Sequence, residues 1–573
     1  KALDRDRTRR YGAASELALD LRRHLAHEPV HAGPARAPYR LAKFVRRHRA
    51  AVAGAGAGAV VLVAFAVGTV VQSLEVRRAL ARADRERARA ERVSRFLVDV
   101  FQAADPFEGG GREVTARAVL DRGAQRVSEE LAGEPDVQAS VMSAVGRVYS
   151  QLRVYDSAER LLRDALALRR QLHAGDHAEV AQSLEELAWV LRLRADTAGA
   201  GALLEEAVAM RRRLDPPDPR LAHSLFLLGS LRRQEGKPEA AGALLDEALR
   251  LHGAPPAGAG AALPDQGARA AILEEMGNLA AARGDYAAAE TRFREALAVR
   301  RQDRGRDAPL TAAALGRLGR LLSERGDLEA AEPLLREALA MLERHLGPDH
   351  EGLAAPLNNL GLTLQNRGDY AGAEPLYRRA LGISKRLHGD AHPSVAVNLN
   401  NLGLLFHDQG RFAEAERFFI EALAVQRRVL RPDHPDLAFP TTNLARVLHD
   451  QGRLAEAESL YREGLALRRR GLAPANPALA DSLAWLGKLQ AERGRGLEGE
   501  AMLREAVALR AAAFTSDDWR TAEARSLLGG CLTVLGRHAE AEPLLVESYP
   551  VLERRRGRNY RRTREAGQRV IAL

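Results

Sequence analysis

One pattern fixes most of what this chain can become: a block of about forty residues occurs ten times. Its marker is a small residue, usually followed by Glu, just after a turn: Ala158, Ala200, Ala241, Ala289, Ala331, Ala373, Ala415, Ala457, Gly499 and Ala541. The steps are 42, 41 and 48, then 42 six times; the long one falls where Pro255-Pro256-Ala257-Gly258-Ala259-Gly260 is inserted, a loop signature. Such regularity specifies a solenoid, each unit burying its apolar face only against its neighbours. Solenoids present long concave surfaces, so the expected task is binding rather than chemistry.

Within the unit Met341 to Gly382, Leu357, Leu360, Gly361 and Leu364 follow the spacing of an amphipathic helix. Asn366-Arg367-Gly368-Asp369 stops it, and a second helix places Ala373, Leu376, Tyr377, Ala380 and Leu381 on one face. A Gly or Ala stands twelve residues before every marker, from Gly146 to Gly529. A second small residue stands seven after it, from Ala165 to Ser548. Paired small residues let helices approach to the short end of the usual ~8–10 Å spacing.

This pattern (L-x-x-L-G, a turn, A-E, an aromatic or Leu, then A-L) resembles the tetratricopeptide repeat, in the longer form of kinesin light chains. Extra residues lengthen the second helix and form a loop such as Leu430-Arg431-Pro432-Asp433-His434-Pro435. The expected fold is all-α, a right-handed solenoid of about ten helix pairs over residues 113–550, closed by a capping helix at 551–573. Units two, three, nine and ten are degraded; Gly199-Ala200-Gly201 and Arg495-Gly496-Leu497 are poor matches that predict frayed helices.

The balance of +10 invites a nucleic-acid reading. Only five of the 86 basic residues are Lys, and basic runs are interleaved with acid, as in Arg85-Glu86-Arg87-Ala88-Arg89-Ala90-Glu91. Solvated helix faces fit better, and no nucleic-acid partner is expected. The single Cys531 excludes an intrachain disulfide and reads as a structural thiol.

Ala50 to Val71 holds 22 residues without a charge, with Arg-rich flanks. As a helix it spans ~33 Å, enough for a ~30 Å hydrocarbon core. This predicts a transmembrane helix at 50–71, between a basic juxtamembrane segment at 29–49 and a helical linker at 72–112. A buried Ala/Gly-rich core helix is the competing reading. Six basic residues before it (Arg36, Arg40, Lys43, Arg46, Arg47, Arg49) against four after (Arg77, Arg78, Arg82, Arg85) place the N-terminal side in the cytoplasm and the repeats outside it, in a bacterial cell membrane. Gly54 and Gly58 form a G-x-x-x-G pair, a route to a homodimer through the span.

Residues 1–28 resemble the end of the catalytic domain of bacterial serine/threonine kinases of the eukaryotic type. There the last segment reads A-L-x-x-D-P-x-x-R-Y before an amphipathic helix. Asp6, Arg10 and Tyr11 match, and Arg7 stands where the family has Pro. The resemblance implies that Arg10 pairs with the Glu of an A-P-E motif. It also implies a parent in which kinase tail, span, linker (Arg95 to Phe101, Asp105-Pro106) and repeats follow in that order. The chain itself lacks H-R-D, D-F-G, A-P-E and the V-A-I-K lysine, so no catalysis or cofactor is expected of it; ATP and Mg²⁺ would belong to the parent's kinase domain. Gly54 to Gly58 has no phosphate-loop Lys.

His177, His350, His392 and His434 recur at one loop position, where neighbours stand a whole repeat apart and zinc needs ligands ~2 Å from one ion. They read as caps for the following helices. His407-Asp408 and His449-Asp450 lack a nucleophile and do not suit catalysis.

With the small Gly of each first helix as position 8, positions 2, 5, 9, 12 and 13 fall on the arc opposite the core, with position 6 at its edge. Units six to eight place there Asn358, Asn359, Gln365 and Asn366; Asn400, Asn401, His407 and Asp408; then Asn443, Arg446, His449 and Asp450. The resemblance implies that this arc lines the concave groove. Amides that both donate and accept suit a protein or peptide ligand; bracing of the neighbouring helix is the alternative role. Two readings follow: the sensor region of a membrane-anchored kinase, or a soluble cytoplasmic scaffold with no kinase link.

Overall fold

The computed structural model describes residues 11–31, 37–102, 116–194, 196–214, 218–253, 266–302, 309–558 and 560–573. It divides into two bodies, 1–152 and 153–573. The insert at 255–260, Asp6, Arg10, Asp105 and Pro106 lie outside the described residues.

In the first body, helices Ala14–Leu25 and Ala37–Arg47 precede a single helix of 54 residues, Arg49–Gln102. Tyr11 donates to Asp20 (2.9 Å), and the backbone N–H of His31 donates to the same carboxylate (2.8 Å). The far end of the long helix meets Ala116–Glu130 and Pro135–Gln151: Arg89 pairs with Asp136 at 3.0 Å, and Phe96 is buried.

The expected transmembrane helix is corrected here. Among the described residues no helix is long and apolar enough to cross a membrane. Ala50–Val71 is helical, but the side chains at 51, 52 and 55–61 lie outside the described residues. The described apolar stretch, Leu62 to Val71, is half the ~20 residues a span needs, and the same helix continues into charged sequence. The membrane localisation, the extracytoplasmic repeats and the dimer through the span lose their basis with it.

The second body is all helical. After Tyr155–Leu172, repeats two to ten form helix pairs: Ala178–Leu193 with Thr197–Arg213, Leu221–Gln234 with Pro238–Gly253, Gln266–Ala282 with Tyr286–Gln302, Pro309–Arg325 with Leu328–Leu346, Ala354–Arg367 with Tyr370–His388, Pro393–Asp408 with Phe412–Val429, Ala438–Asp450 with Leu454–Gly471, Leu479–Glu492 with Gly496–Ala513, and Trp519–Val534 with His538–Arg556. A last helix, Arg561–Ile571, follows. The poorly matched stretches around Gly199 and Gly496 are helical rather than frayed; Asp196 caps the former by accepting from Gly199 N–H at 2.9 Å.

The sequence devices are visible in the packing. A Cβ on Gly403 would stand 2.6 Å from the ring of Phe419, and one on Gly361 2.8 Å from Tyr377. The small residue thus makes room for the large one four positions past the next marker. Gly368 ends its helix in the left-handed region (φ 89°), where its N–H reaches Gln365 O and that of Asp369 reaches Leu364 O. Asp369 then caps the second helix by accepting from Gly372 N–H at 2.9 Å. The Glu after the marker has its own task. Glu290, Glu332, Glu416, Glu458 and Glu500 receive an Arg from the next repeat's turn: Arg325, Arg367, Arg453, Arg493 and Arg537. The loop histidines His177, His350, His392 and His434 each accept a backbone N–H two residues on, at 3.0–3.2 Å, as helix caps.

Candidate polypeptide-binding groove

The first helices of units six to nine are joined by a polar seam that steps from one unit to the next. Asn358 donates to Asn398 (2.7 Å), Gln365 to Asp408 (2.7 Å), and Asn443 to Asn400 (2.9 Å). His407 Nε2 lies 2.7 Å from Asp450, and His449 Nε2 2.5 Å from Glu492. Three of these bonds run from position 12 of one helix to position 13 of the next, 43 residues on. His407 therefore uses Asp450 through Nε2, while its neighbour Asp408 stands 3.5 Å from Nδ1. Sequence reading noticed the adjacent His-Asp pairs and missed the cross-unit partner and Glu492, although the 43-residue step was the available signal.

None of the twelve candidate residues is exposed. Gln365, Asn366, Asn400, His407, Asn443, Arg446 and His449 are buried, and Asn358, Asn359, Asn401, Asp408 and Asp450 half-buried. The amides of Asn358, Asn400 and Asn443 brace neighbouring helices. Asn359 and Asn401 make no side-chain hydrogen bond among the described residues. Beside them on the same arc, Leu362, Val397 and Phe439 stay open at 42, 50 and 50 % exposure.

Part of the burial, at Asn366, His407 and Asp450, has a cause that local sequence did not show: the last helix lies in the groove. It packs on the helices of unit ten, as a cap does, and also reaches back across the array. Arg561 donates to Asp450 (2.7 Å) and to the carbonyl of His407 (3.3 Å). Arg562 donates to both oxygens of Glu523 (2.9 Å), and Arg569 to Ser526 (2.6 Å). Just before it, Arg556 donates to Asn366 at 3.2 Å and lies over the rings of Trp519 and Tyr560. Units four and ten also meet: Tyr286 donates to Asp518 (3.0 Å) and accepts from Arg520 (2.8 Å), and burial pushes its hydroxyl up to about 12. Between His407, Arg446, Asp450, Trp485 and Arg561 there remains a cavity of about 10 Å³, room for one water.

Electrostatics divide this floor. Burial opposes the charged form of Asp450, but the hydrogen bond from His407 and the charge of Arg561 outweigh it and hold its pKa below the usual carboxylate range. Arg446 is the reverse case. It is buried over Trp485 (4.6 Å), makes one long hydrogen bond to Asn443 (3.4 Å), and has no ion pair among the described residues. Burial and then the charge of Arg562 lower its pKa.

The tetratricopeptide repeat family matches residues 137–213, 268–344, 352–426 and 394–470. Comparison with curated proteins gives no match. Among solved structures, BtubC (BKLC) from P. vanneervenii is 26 % identical over 41 % of this chain and 91 % of its own, with a TM-score of 0.34. A Podosopora anserina protein of the kinesin-light-chain type, with nearly identical TPR-like repeats, is 22 % identical over 36 % of this chain and 97 % of its own (TM-score 0.30). The quorum sensor NprR from B. thuringiensis, in its apo form, is 13 % identical over 65 % of this chain and 99 % of its own (TM-score 0.43). The chain therefore carries tetratricopeptide repeats, built into an all-helical solenoid with kinesin-light-chain-like neighbours.

Proposed function

We propose that this chain is a binding scaffold that holds a segment of another polypeptide in the groove along the first helices of units six to ten. One observation carries the reading: that groove already seats a polypeptide helix through groups contributed by three repeats. The open arc of Asn359 and Asn401 beside Leu362, Val397 and Phe439 offers unengaged amides and apolar surface together, the mixture on which peptide recognition draws.

Selection from a displayed random-peptide library against the whole chain tests this. Enriched sequences are expected to bind the Asn359→Ala/Asn401→Ala variant at least tenfold more weakly, at unchanged helicity. Undiminished binding to that variant moves the site elsewhere on the array, and failure to enrich any sequence removes the reading.

The finer reading, in which the parent is a serine/threonine kinase informed by this groove, rests on the resemblance of residues 1–28. An H-R-D and an A-P-E in the sequence preceding Lys1 test it.

A further inference from the structure

We propose that the groove selects an arginine-bearing amphipathic helix, and that the chain's own last helix, Arg561–Ile571, occupies it until a partner helix of that chemistry takes its place. This rests on the reading of the groove as a polypeptide site and goes beyond it by naming the partner's chemistry and the resident competitor.

A cap needs only to cover the final helix pair. This one places Arg561, Arg562 and Arg569 on a single face and bonds three repeats with them: seven and eight through Arg561, and ten through Arg562 and Arg569. Its reach back to His407 spans 154 residues of sequence. The receiving groups are acids and acceptors carried on the first helices of the array. Asp450 is held by His407, and Glu523 and Ser526 stand on one helix three residues apart. Two carboxylates facing guanidinium groups give recognition by charge and by hydrogen-bond geometry.

The resident is also an imperfect occupant, which makes exchange favourable. It sets Arg562 over the ring of Trp485 (5.3 Å) that already carries Arg446 (4.6 Å), two like charges of which Arg562 has Glu523 and Arg446 has no ion pair among the described residues. Buried Tyr461 Oη, on the wall of the same small cavity as Arg446 and Arg561, has no hydrogen-bond partner among the described residues. A partner helix that keeps the arginine at the Asp450 station and brings a carboxylate to Arg446 relieves both defects. With 11 residues the resident is ~16 Å long, and it leaves Leu362, Val397 and Phe439 uncovered for a longer helix. Its connection to unit ten is the short turn at Gly557 (φ 80°). That tether holds it at a high effective concentration, so it sets a threshold that an incoming helix must exceed.

The test uses the whole chain and a fluorescent synthetic peptide with the sequence of residues 557–573. Binding is measured for the wild type, for Arg561→Glu/Arg562→Glu and for the milder Arg561→Ala/Arg562→Ala, with circular dichroism as the control of fold. Both variants, their own helix released, are expected to bind the peptide at least tenfold more tightly than the wild type. A peptide carrying Arg561→Glu/Arg562→Glu is expected to bind none of them. Equal uptake by wild type and variants would show a groove that binds helices but is not self-occupied, overturning this inference while the scaffold reading stands. No uptake by folded variants overturns the arginine-helix chemistry, and the library selection then decides the scaffold reading by itself. A wild-type mass of two chains, collapsing to one in the variants, would place the helix in a second copy and overturn the intramolecular assignment.

Discussion

The inner and outer faces of the array are built from the same repeat and bonded by different rules. On the outer face, second helices are linked by pairs spaced 36 residues apart: Arg301 with Glu337, Lys385 with Glu421, Arg427 with Glu463 and Arg469 with Glu505. All are solvated, and pairs of that kind contribute at most about 1 kcal/mol each. On the inner face the step is 43, the partners are histidines, amides and acids, and most are buried. An orphaned partner there keeps its desolvation cost. The outer ladder sets register cheaply. The inner one fixes the floor on which a helix sits.

The largest expected effect lies between the two faces. Gly403→Val would drive a branched side chain into Phe419, where a Cβ alone meets the ring at 2.6 Å; a cost of about 3 kcal/mol is expected. Hydrogen exchange in unit seven would report it, because an array of this kind opens locally rather than all at once. Unchanged exchange there would mean that the helices do not approach as closely as described.

Next comes the inner seam itself. Asp450→Ala leaves His407 Nε2 and Arg561 without their shared acceptor, an expected local loss of about 2 kcal/mol. Arg427→Ala on the outer face should cost less than about 0.5 kcal/mol. Equal losses would erase the distinction between the faces. Arg446→Met sharpens the comparison from the other side. It removes a buried cation with no ion pair among the described residues, so the thermal midpoint should hold or rise.

The seam also has a pH signature. Asp450 has a depressed folded pKa, so its contribution is complete above an unfolded value of about 3.9 and is lost as pH falls through the folded value. Contact of the last helix should persist from pH 8 to 5 and yield only below about 4. The Trp485 part of the emission, isolated by difference from Trp485→Phe, measures this through Arg562 lying over its ring. A transition near pH 6.5 would instead assign the control to histidine. The smallest effect concerns Cys531, whose thiol burial pushes up to about 11. It should stay unmodified by a thiol reagent at pH 8 in the folded chain.

Much of the fold was written in single positions. The Gly or Ala twelve residues before each marker, the Asn366-to-Asp369 turn and the capping histidines are local devices, and local chemistry determines their geometry. The candidate groove was legible as a face, since helical spacing puts Gln365, His407 and His449 on one arc. Its bonding was not, because adjacency in sequence drew attention to His407-Asp408 whereas the rise of one repeat brings Asp450 to His407. The filling of the groove was legible nowhere, because the curvature that carries unit ten round to units four to eight accumulates from small rotations at every repeat. The membrane span failed for a related reason: the absence of charge over Ala50–Val71 says nothing about how far a run of Ala and Gly extends as an apolar surface.

The seating of the last helix in the groove is measured most directly by hydrogen exchange of the whole chain. Amides of 561–571 and of the first helix of unit eight should be protected together in the wild type. In Arg561→Glu/Arg562→Glu both should exchange at least tenfold faster, while the second helices of units seven and eight keep their rates. Full exchange of 561–571 at the earliest time point in the wild type would contradict the account.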